Sequence, residues 1–95
     1  MQFMIVAYDG QDEGALNRRL AVRDSHIAGA IALKNAGNLI AGGAILDEAG
    51  RMIGSTTYVE FESRADLDNW LQQDPYVTGD VWRDITITPI RLAVS

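Results

Sequence analysis

The 95-residue chain has no cysteine, one histidine and two prolines, and no apolar run is long enough to cross a bilayer. The lack of cysteine excludes disulfides, thiolate nucleophiles and most structural zinc sites, and it fits a reducing compartment. The apolar start at residues 1–8 is too short for a membrane span and has no basic region before it. We therefore expect a cytoplasmic protein without membrane association.

Positive charge is also scarce, with 8 Lys and Arg against 13 Asp and Glu, for a formal net charge of -5. No Lys or Arg run is present that would follow a polyanion, which argues against nucleic acid as a partner. The phosphate-loop, dinucleotide and zincin motifs are absent, and a lone histidine is weak support for a transition metal. We expect neither a metal nor another cofactor.

Hydrophobic periodicity and turn residues predict six elements. Gly37 and Asn38 form the stop signal of the first helix, Gly50 suits a hairpin loop, and Ser63 begins a capping box. Pro75 is expected to end the second helix, and Pro89 is tolerable only at a sheet edge or a bulge. The elements are strand 3–8, helix 15–36, a hairpin of strands 39–46 and 52–61, helix 63–75 and strand 81–94.

The order βαββαβ predicts an α+β, ferredoxin-like fold in one domain, residues 1–95, with both helices on one face of a four-stranded antiparallel sheet. The first strand is apolar on both of its alternating sets of side chains, whereas a sheet wetted on one face alternates more cleanly. The face opposite the helices therefore needs a cover. We expect a homodimer in which a second copy packs its sheet against this one.

The only histidine, His26, lies in the first helix near Arg19 and Arg23. Imidazole is the side chain whose unperturbed pKa suits proton transfer near neutral pH. One interpretation is a half-buried base beside arginines that attract an anionic substrate, and the other is a surface histidine beside solvated arginines. The helix has a narrow apolar arc that we expect to face the core, with His26 at its flank, and the residues of this arc are Leu16, Leu20, Ile27 and Ile31.

Asp74, in the tripeptide Asp74-Pro75-Tyr76, is expected to close the second helix, where the macrodipole disfavours a carboxylate by about 0.3 to 1 kcal/mol. A nearby cation such as protonated His26 would offset that cost, and the carboxylate would in turn orient the ring and fix its tautomer. The alternative is ordinary turn chemistry, in which the side chain caps its own loop.

Glycine inside a strand often marks a bulge or the close approach of a ligand or another backbone. Gly54 has this position, which makes Ser55 a candidate pocket hydroxyl. The pair Gly42-Gly43 either serves the same pocket opening or marks a bulge or a crowded helix contact. Three aromatic residues are candidates for lining a pocket for a flat ligand, although each also suits the core or a dimer interface: Tyr8, Tyr76 and Trp82.

Taken in order along nearly the whole chain, these motifs resemble the YCII-related domain family. The resemblance implies a dimeric α+β barrel and a His/Asp pair in a cleft, carried here by His26 and Asp74. It also implies a link to enzymes, since one relative is associated with chloride elimination from a chlorinated hydroxyquinol. The matching features are Arg23-x-x-His26, Gly42-Gly43, Gly50, Gly54-Ser55, Asp74-Pro75-Tyr76-Val77 with Gly79, and Pro89.

Three hypotheses follow. The first is a cofactor-independent enzyme in which His26 is general base or acid and Asp74 orients it, for elimination or isomerisation of a small cyclic or aromatic substrate. The second is a small-ligand binding or accessory module in which the pair is only a structural hydrogen bond, and the third is a purely structural dimer. The expected substrate-binding residues are Arg19, Arg23, Gly54, Ser55 and Tyr76.

Overall fold

A computed structural model describes Met1–Ser95 and contains the six predicted elements plus one short helix. The added element, α3, is a single turn between the second helix and the last strand, and that strand ends at Ile90 rather than at residue 94. None of the helices combines the length and apolar character that crossing a membrane requires. The elements are β1 (Gln2–Asp9), α1 (Ala15–Asn35), β2 (Leu39–Leu46), β3 (Met52–Glu60), α2 (Arg64–Leu71), α3 (Pro75–Thr78) and β4 (Trp82–Ile90).

The four strands form one antiparallel sheet in the order β2-β3-β1-β4, which confirms the ferredoxin-like α+β prediction. The helices cover the face that carries Phe3, Ile5 and Ala7, all of which are fully buried. Pro89 lies in β4, an edge strand, which is a place where a proline is tolerated in a sheet. The sheet and its helices therefore enclose one core on one side only.

Local turn chemistry sets three element boundaries as predicted, but the prediction for Pro75 is wrong: α2 already ends at Leu71, and Pro75 begins α3. Gly37 after α1 and Gly50 in the β2–β3 hairpin have φ values of +87° and +82°, a region that side chains disfavour. Ser63 caps α2 by accepting a hydrogen bond from the backbone N–H of Asp66 at 3.1 Å. These stops and starts fix where α1 and α2 lie on the sheet.

The sheet face opposite the helices has no covering layer within the protomer. Met4 and Val6 are half-buried there and Tyr8 is 44% exposed, with Met4 opposite Tyr58 on β3. Both alternating sets of β1 are thus apolar, but only one of them is buried. This is the arrangement that the sequence pattern predicted.

The orientation predicted for α1 is wrong. Leu20, Ile27 and Ile31 are 48%, 38% and 57% exposed, whereas the buried residues of α1 are Arg19 and His26. The helix turns its polar side chains inward because the sheet and α3 present hydrogen-bonding partners to them. These polar contacts accompany the apolar packing of Val22 and Leu33 of α1 against the core.

Candidate active site

A buried hydrogen bond joins the imidazole of His26 to the carboxylate of Asp74. His26 Nδ1 lies 2.8 Å from Asp74 Oδ2, and the two side chains are 11% and 3% exposed. The same oxygen accepts the backbone N–H of Tyr76 at 3.0 Å, so that Asp74 is the N-cap of α3. Since a carboxylate only accepts, Nδ1 carries the proton of the neutral ring and Nε2 has the free lone pair.

Asp74 does not close the second helix, so the predicted macrodipole penalty is wrong. Helix α2 ends at Leu71, and Asp74 instead precedes Pro75 at the start of α3. An N-cap aspartate is favourable because it satisfies a backbone N–H that has no partner within the helix. The two interpretations of Asp74 are therefore combined in one residue, which caps its own turn and contacts His26.

Two aromatic side chains hold the imidazole ring in place. The ring of Tyr76 stacks on that of His26, with centroids 3.7 Å apart and planes 12° apart. Trp82 meets His26 edge to face at 5.7 Å and 76°. Burial raises the pKa of Tyr76 above its ordinary value of 10.0, although the nearby Arg19 opposes this shift, and its phenol stays protonated at neutral pH.

A second buried polar cluster lies beside this pair and is built around Arg19. Its Nη1 donates to both carboxylate oxygens of Asp9 at 3.0 and 3.1 Å, and Nη2 donates to Ser55 Oγ at 2.8 Å. The Nε1 of Trp82 donates to the same serine oxygen at 3.2 Å. The guanidinium carbon of Arg19 is 4.6 Å from the ring centroid of Tyr76. Tyr76 and Trp82 thus connect the Arg19 cluster to His26.

Asp9 belongs to this cluster, but the sequence pattern does not predict it, because the predicted first strand ends at residue 8. Strand β1 extends to Asp9, and a register shift after Tyr8 sets Asp9 opposite Trp82 on β4. The available signal was alternation, because Asp9 follows Phe3, Ile5 and Ala7 at a period of two and shares their buried face. A buried carboxylate there requires a cation, which Arg19 supplies.

His26 opens onto a cavity of about 240 Å³ between α1 and strands β2 and β3. A more open groove of about 560 Å³ lies at the end of β1 and contains neither His26 nor Asp74. The smaller cavity joins a cationic and hydrogen-bonding part to apolar walls. Its lining consists of Arg19, Arg23, His26, Ile27, Ala30, Leu33, Leu39, Gly42, Gly43, Ala44, Met52, Ser55, Thr57, Trp70 and Tyr76.

Most of the residues singled out from the sequence meet at this cavity. Those that line it are Arg19, Arg23, His26, Ser55 and Tyr76, while Asp74 contacts His26 without lining it. Gly54 does not line it: a side chain there would collide with the backbone carbonyl of Ala7, so the glycine serves strand packing. Tyr8 is on the opposite face of the sheet.

The two arginines at the cavity differ in their freedom. Arg19 is buried and committed to Asp9 and Ser55, whereas Arg23 is exposed and forms no ion pair. Thr57, also on the wall, has a buried Oγ1 without a hydrogen-bond partner, and its methyl group occupies the space that a side chain at Gly42 would need. Arg23 is therefore the cation that a ligand can reach without breaking a protein contact.

Comparison with known proteins agrees with this fold. The family model for the YCII-related domain matches residues 1–91. Protein YciI of Escherichia coli is 33% identical over 97 residues, covering 96% of this chain and 97% of that protein.

Solved structures give the same fold at lower identity. A 5-chloro-2-hydroxyhydroquinone dehydrochlorinase from Burkholderia phenoliruptrix, in complex with 2,5-dihydroxybenzoquinone, has a TM-score of 0.83 and 23% identity over 96% of this chain and 94% of its own. A dimeric ferredoxin-like protein from an uncultured marine organism has a TM-score of 0.55 and 11% identity over 100% and 99%.

Proposed function

We propose, from the premise that the chain belongs to the YCII-related domain family, that it is a small cofactor-independent enzyme. In this proposal His26 transfers a proton to or from a small cyclic or aromatic substrate, in an elimination or an isomerisation. The observation that carries it is the 2.8 Å contact between His26 Nδ1 and Asp74 Oδ2 beside a cavity. A buried carboxylate that fixes the tautomer of a histidine is the arrangement of a general base.

In this proposal the reactive atom is the ring nitrogen of His26 that does not contact Asp74. His26 Nε2 has no hydrogen-bond partner in the protein, and His26 lines the cavity. Asp74 holds the proton on Nδ1 and stabilises the positive charge that the ring gains when Nε2 accepts a proton. In an elimination, Nε2 takes a proton from the substrate, the electrons of that broken bond form a new double bond, and the leaving group departs as an anion with its bonding electron pair.

The dimensions of the cavity favour a single ring. A cavity of about 150 Å³ is enough to hold benzene, so about 240 Å³ accommodates one ring with several substituents. Apolar walls from Leu33, Leu39 and Trp70 suit the ring, and the exposed guanidinium of Arg23 suits an acidic substituent at its edge. This substrate class is consistent with the dehydrochlorinase of similar fold, which was solved with 2,5-dihydroxybenzoquinone.

We also propose that the functional unit is a homodimer. The uncovered sheet face carries Met4, Val6 and Tyr58, half-buried, and Tyr8, 44% exposed. An apolar sheet face of this kind is normally packed against a second layer. The dimeric ferredoxin-like proteins of similar fold support the same assembly.

The test is turnover by wild type and His26→Asn on 5-chloro-2-hydroxyhydroquinone and a panel of other acidic hydroxylated rings and lactones. Chloride release or a change in ring absorbance is the readout, and sedimentation of the same samples gives the oligomeric state. We expect turnover of at least one compound by wild type and its loss in the variant with little change in affinity. Binding without turnover, equal in both proteins, would instead identify a ligand-binding module.

A further inference from the structure

We propose that Ser55 is a hydrogen-bond donor to an anionic oxygen of the substrate ring, a phenolate or an enolate, and that Asp9 and Arg19 position it for this role. This inference rests on the proposed function, because it concerns the substrate of the same cavity. It adds the chemical state of the oxygen that the site recognises. It also gives the buried Asp9 carboxylate a purpose in recognition.

The hydrogen bonds that Ser55 already makes within the protein determine how its hydroxyl can bind a ligand. A serine hydroxyl has one proton and accepts two hydrogen bonds. Both acceptor positions are used, by Arg19 Nη2 at 2.8 Å and by Trp82 Nε1 at 3.2 Å. No protein atom accepts the serine proton, although Ser55 is 4% exposed. Because Ser55 lines the cavity, the remaining partner of its proton is a ligand atom that accepts.

The charge on Arg19 strengthens this donor. A hydroxyl that receives a hydrogen bond from a cation is polarised, and its own proton then binds an acceptor more strongly. Arg19 is held in this position by the two contacts with Asp9, and both side chains are 3% exposed. The order of contacts is therefore Asp9 to Arg19 to Ser55 to substrate. Asp9 and Arg19 are positioning residues, since Ser55 is the one that meets the ligand.

The location of Ser55 places this contact on a different wall of the cavity from the base. Ser55 belongs to β3, whereas His26 belongs to α1. In this proposal a substrate ring bound between the two residues places one substituent beside the free nitrogen of His26 and an oxygen atom beside the hydroxyl of Ser55. An oxygen that carries negative charge gains most, because hydrogen bonds to ionised acceptors are about twice as strong as neutral ones. A neutral hydroxyl that needs an acceptor finds none at Ser55.

The experiment measures affinity by calorimetry for two probes, 2,5-dihydroxybenzoquinone, whose hydroxyl groups are acidic, and its dimethyl ether, which cannot ionise. The proteins are wild type, Ser55→Ala, and Ser25→Ala as the control, since Ser25 is exposed on α1 and does not line the cavity. We expect Ser55→Ala to weaken binding of the acidic probe about 10- to 100-fold and the ether much less. Ser25→Ala should leave the ratio of the two affinities unchanged.

A readout on folded wild type keeps the test independent of the stability of Ser55→Ala. The visible spectrum of the bound acidic probe is followed through a pH titration, in wild type and in Arg23→Met. We expect the bound probe to stay ionised to a lower pH than the free probe in both proteins. A bound probe that protonates at the same pH as the free one would overturn the role of Ser55.

The two proposals fail in different ways. If wild type binds neither probe and turns over no ring compound, the proposed function is wrong. If wild type binds the acidic probe and Ser55→Ala keeps the wild-type affinity ratio, only the role of Ser55 is wrong. If Ser55→Ala loses its preference for the acidic probe over the ether and Asp9→Asn loses part of it, the positioning role of Asp9 is supported. If the affinity ratio of the two probes is unchanged in Asp9→Asn, that role is excluded.

Discussion

The ring of Tyr76 stacks on the imidazole of His26 at 3.7 Å, while the backbone N–H of Tyr76 donates to the Asp74 oxygen that binds His26. One residue thus orients both members of the pair, the imidazole through its ring and the carboxylate through its backbone. Helix α3 has only four residues and begins with Pro75, whose ring restricts the backbone φ angle, so the turn that carries Tyr76 is locally rigid. Contacts within the protein therefore set the geometry of the pair.

Replacing Asp74 by Asn should separate catalysis from folding. Asparagine is an equally good N-cap for α3, but it carries no charge to stabilise protonated His26 and no longer fixes its tautomer. We expect turnover to fall by about 10²- to 10⁴-fold with ligand affinity little changed. Steady-state kinetics give the first quantity and nitrogen chemical shifts of His26 report the tautomer. Asp68→Asn in α2, a residue paired with Arg64 away from the cavity, is the matched control.

The two cavity arginines should differ sharply in their effect on stability. Arg19→Met leaves the buried carboxylate of Asp9 without a cation, which typically costs about 3 to 5 kcal/mol. Arg23→Met removes an exposed side chain without an ion pair and should change the free energy of unfolding by less than about 0.5 kcal/mol. Urea denaturation of both variants measures this, and equal effects would contradict the assignment of the free cation.

Arg23 should instead contribute to the binding of anionic ligands. For 2,5-dihydroxybenzoquinone at low ionic strength we expect Arg23→Met to weaken affinity by up to about fivefold, the range of an exposed ion pair. The difference from wild type should disappear near about 1 M salt, where screening acts over about 3 Å. Calorimetry at several salt concentrations tests both statements. A salt-independent difference would mean that Arg23 acts through packing.

Tyr76 should make stability fall at high pH. Burial raises the pKa of Tyr76 in the folded state above its unfolded value of about 10. At a pH between these two values, the unfolded chain has lost the phenol proton and the folded chain retains it. Stability is then fully present below about pH 10 and is lost as pH rises towards the folded value. Denaturation measured across this range should show a steeper fall for wild type than for Tyr76→Phe, and parallel curves would refute the buried phenol.

Thr57→Val should stabilise the protein. The hydroxyl of Thr57 is buried without a partner, a condition that costs about 1 to 3 kcal/mol, and valine keeps nearly the same shape. We expect the free energy of unfolding to rise by about 1 kcal/mol, measured by urea denaturation. Thr57→Ser, which keeps a hydroxyl and loses the methyl group beside Gly42, is the control and should not stabilise. A destabilised valine variant would show that the hydroxyl has a partner in solution.

Sequence alone determined the order of the elements and the fold class of this protein. Period-two and helical patterns, the glycines at 37 and 50, and the Ser63 cap act over a few residues, and these features have the structural roles predicted for them. The uncovered sheet face was also predictable, because alternation along β1 is a local property. Five of the seven candidate site residues line the cavity and Asp74 binds one of them, His26, whereas Gly54 serves strand packing.

Only the tertiary structure decided how α1 turns and what its polar residues meet. Apolar spacing favoured the side that carries Leu20 and Ile31, yet these residues are exposed and Arg19 and His26 are buried. The reason is that their partners, Asp9, Ser55 and Asp74, come from β1, β3 and the start of α3, at separations of 10, 36 and 48 residues. Pairing these buried polar groups outweighs the local hydrophobic pattern of the helix. Partners so far apart in the chain cannot be identified from a pattern that extends over a few residues.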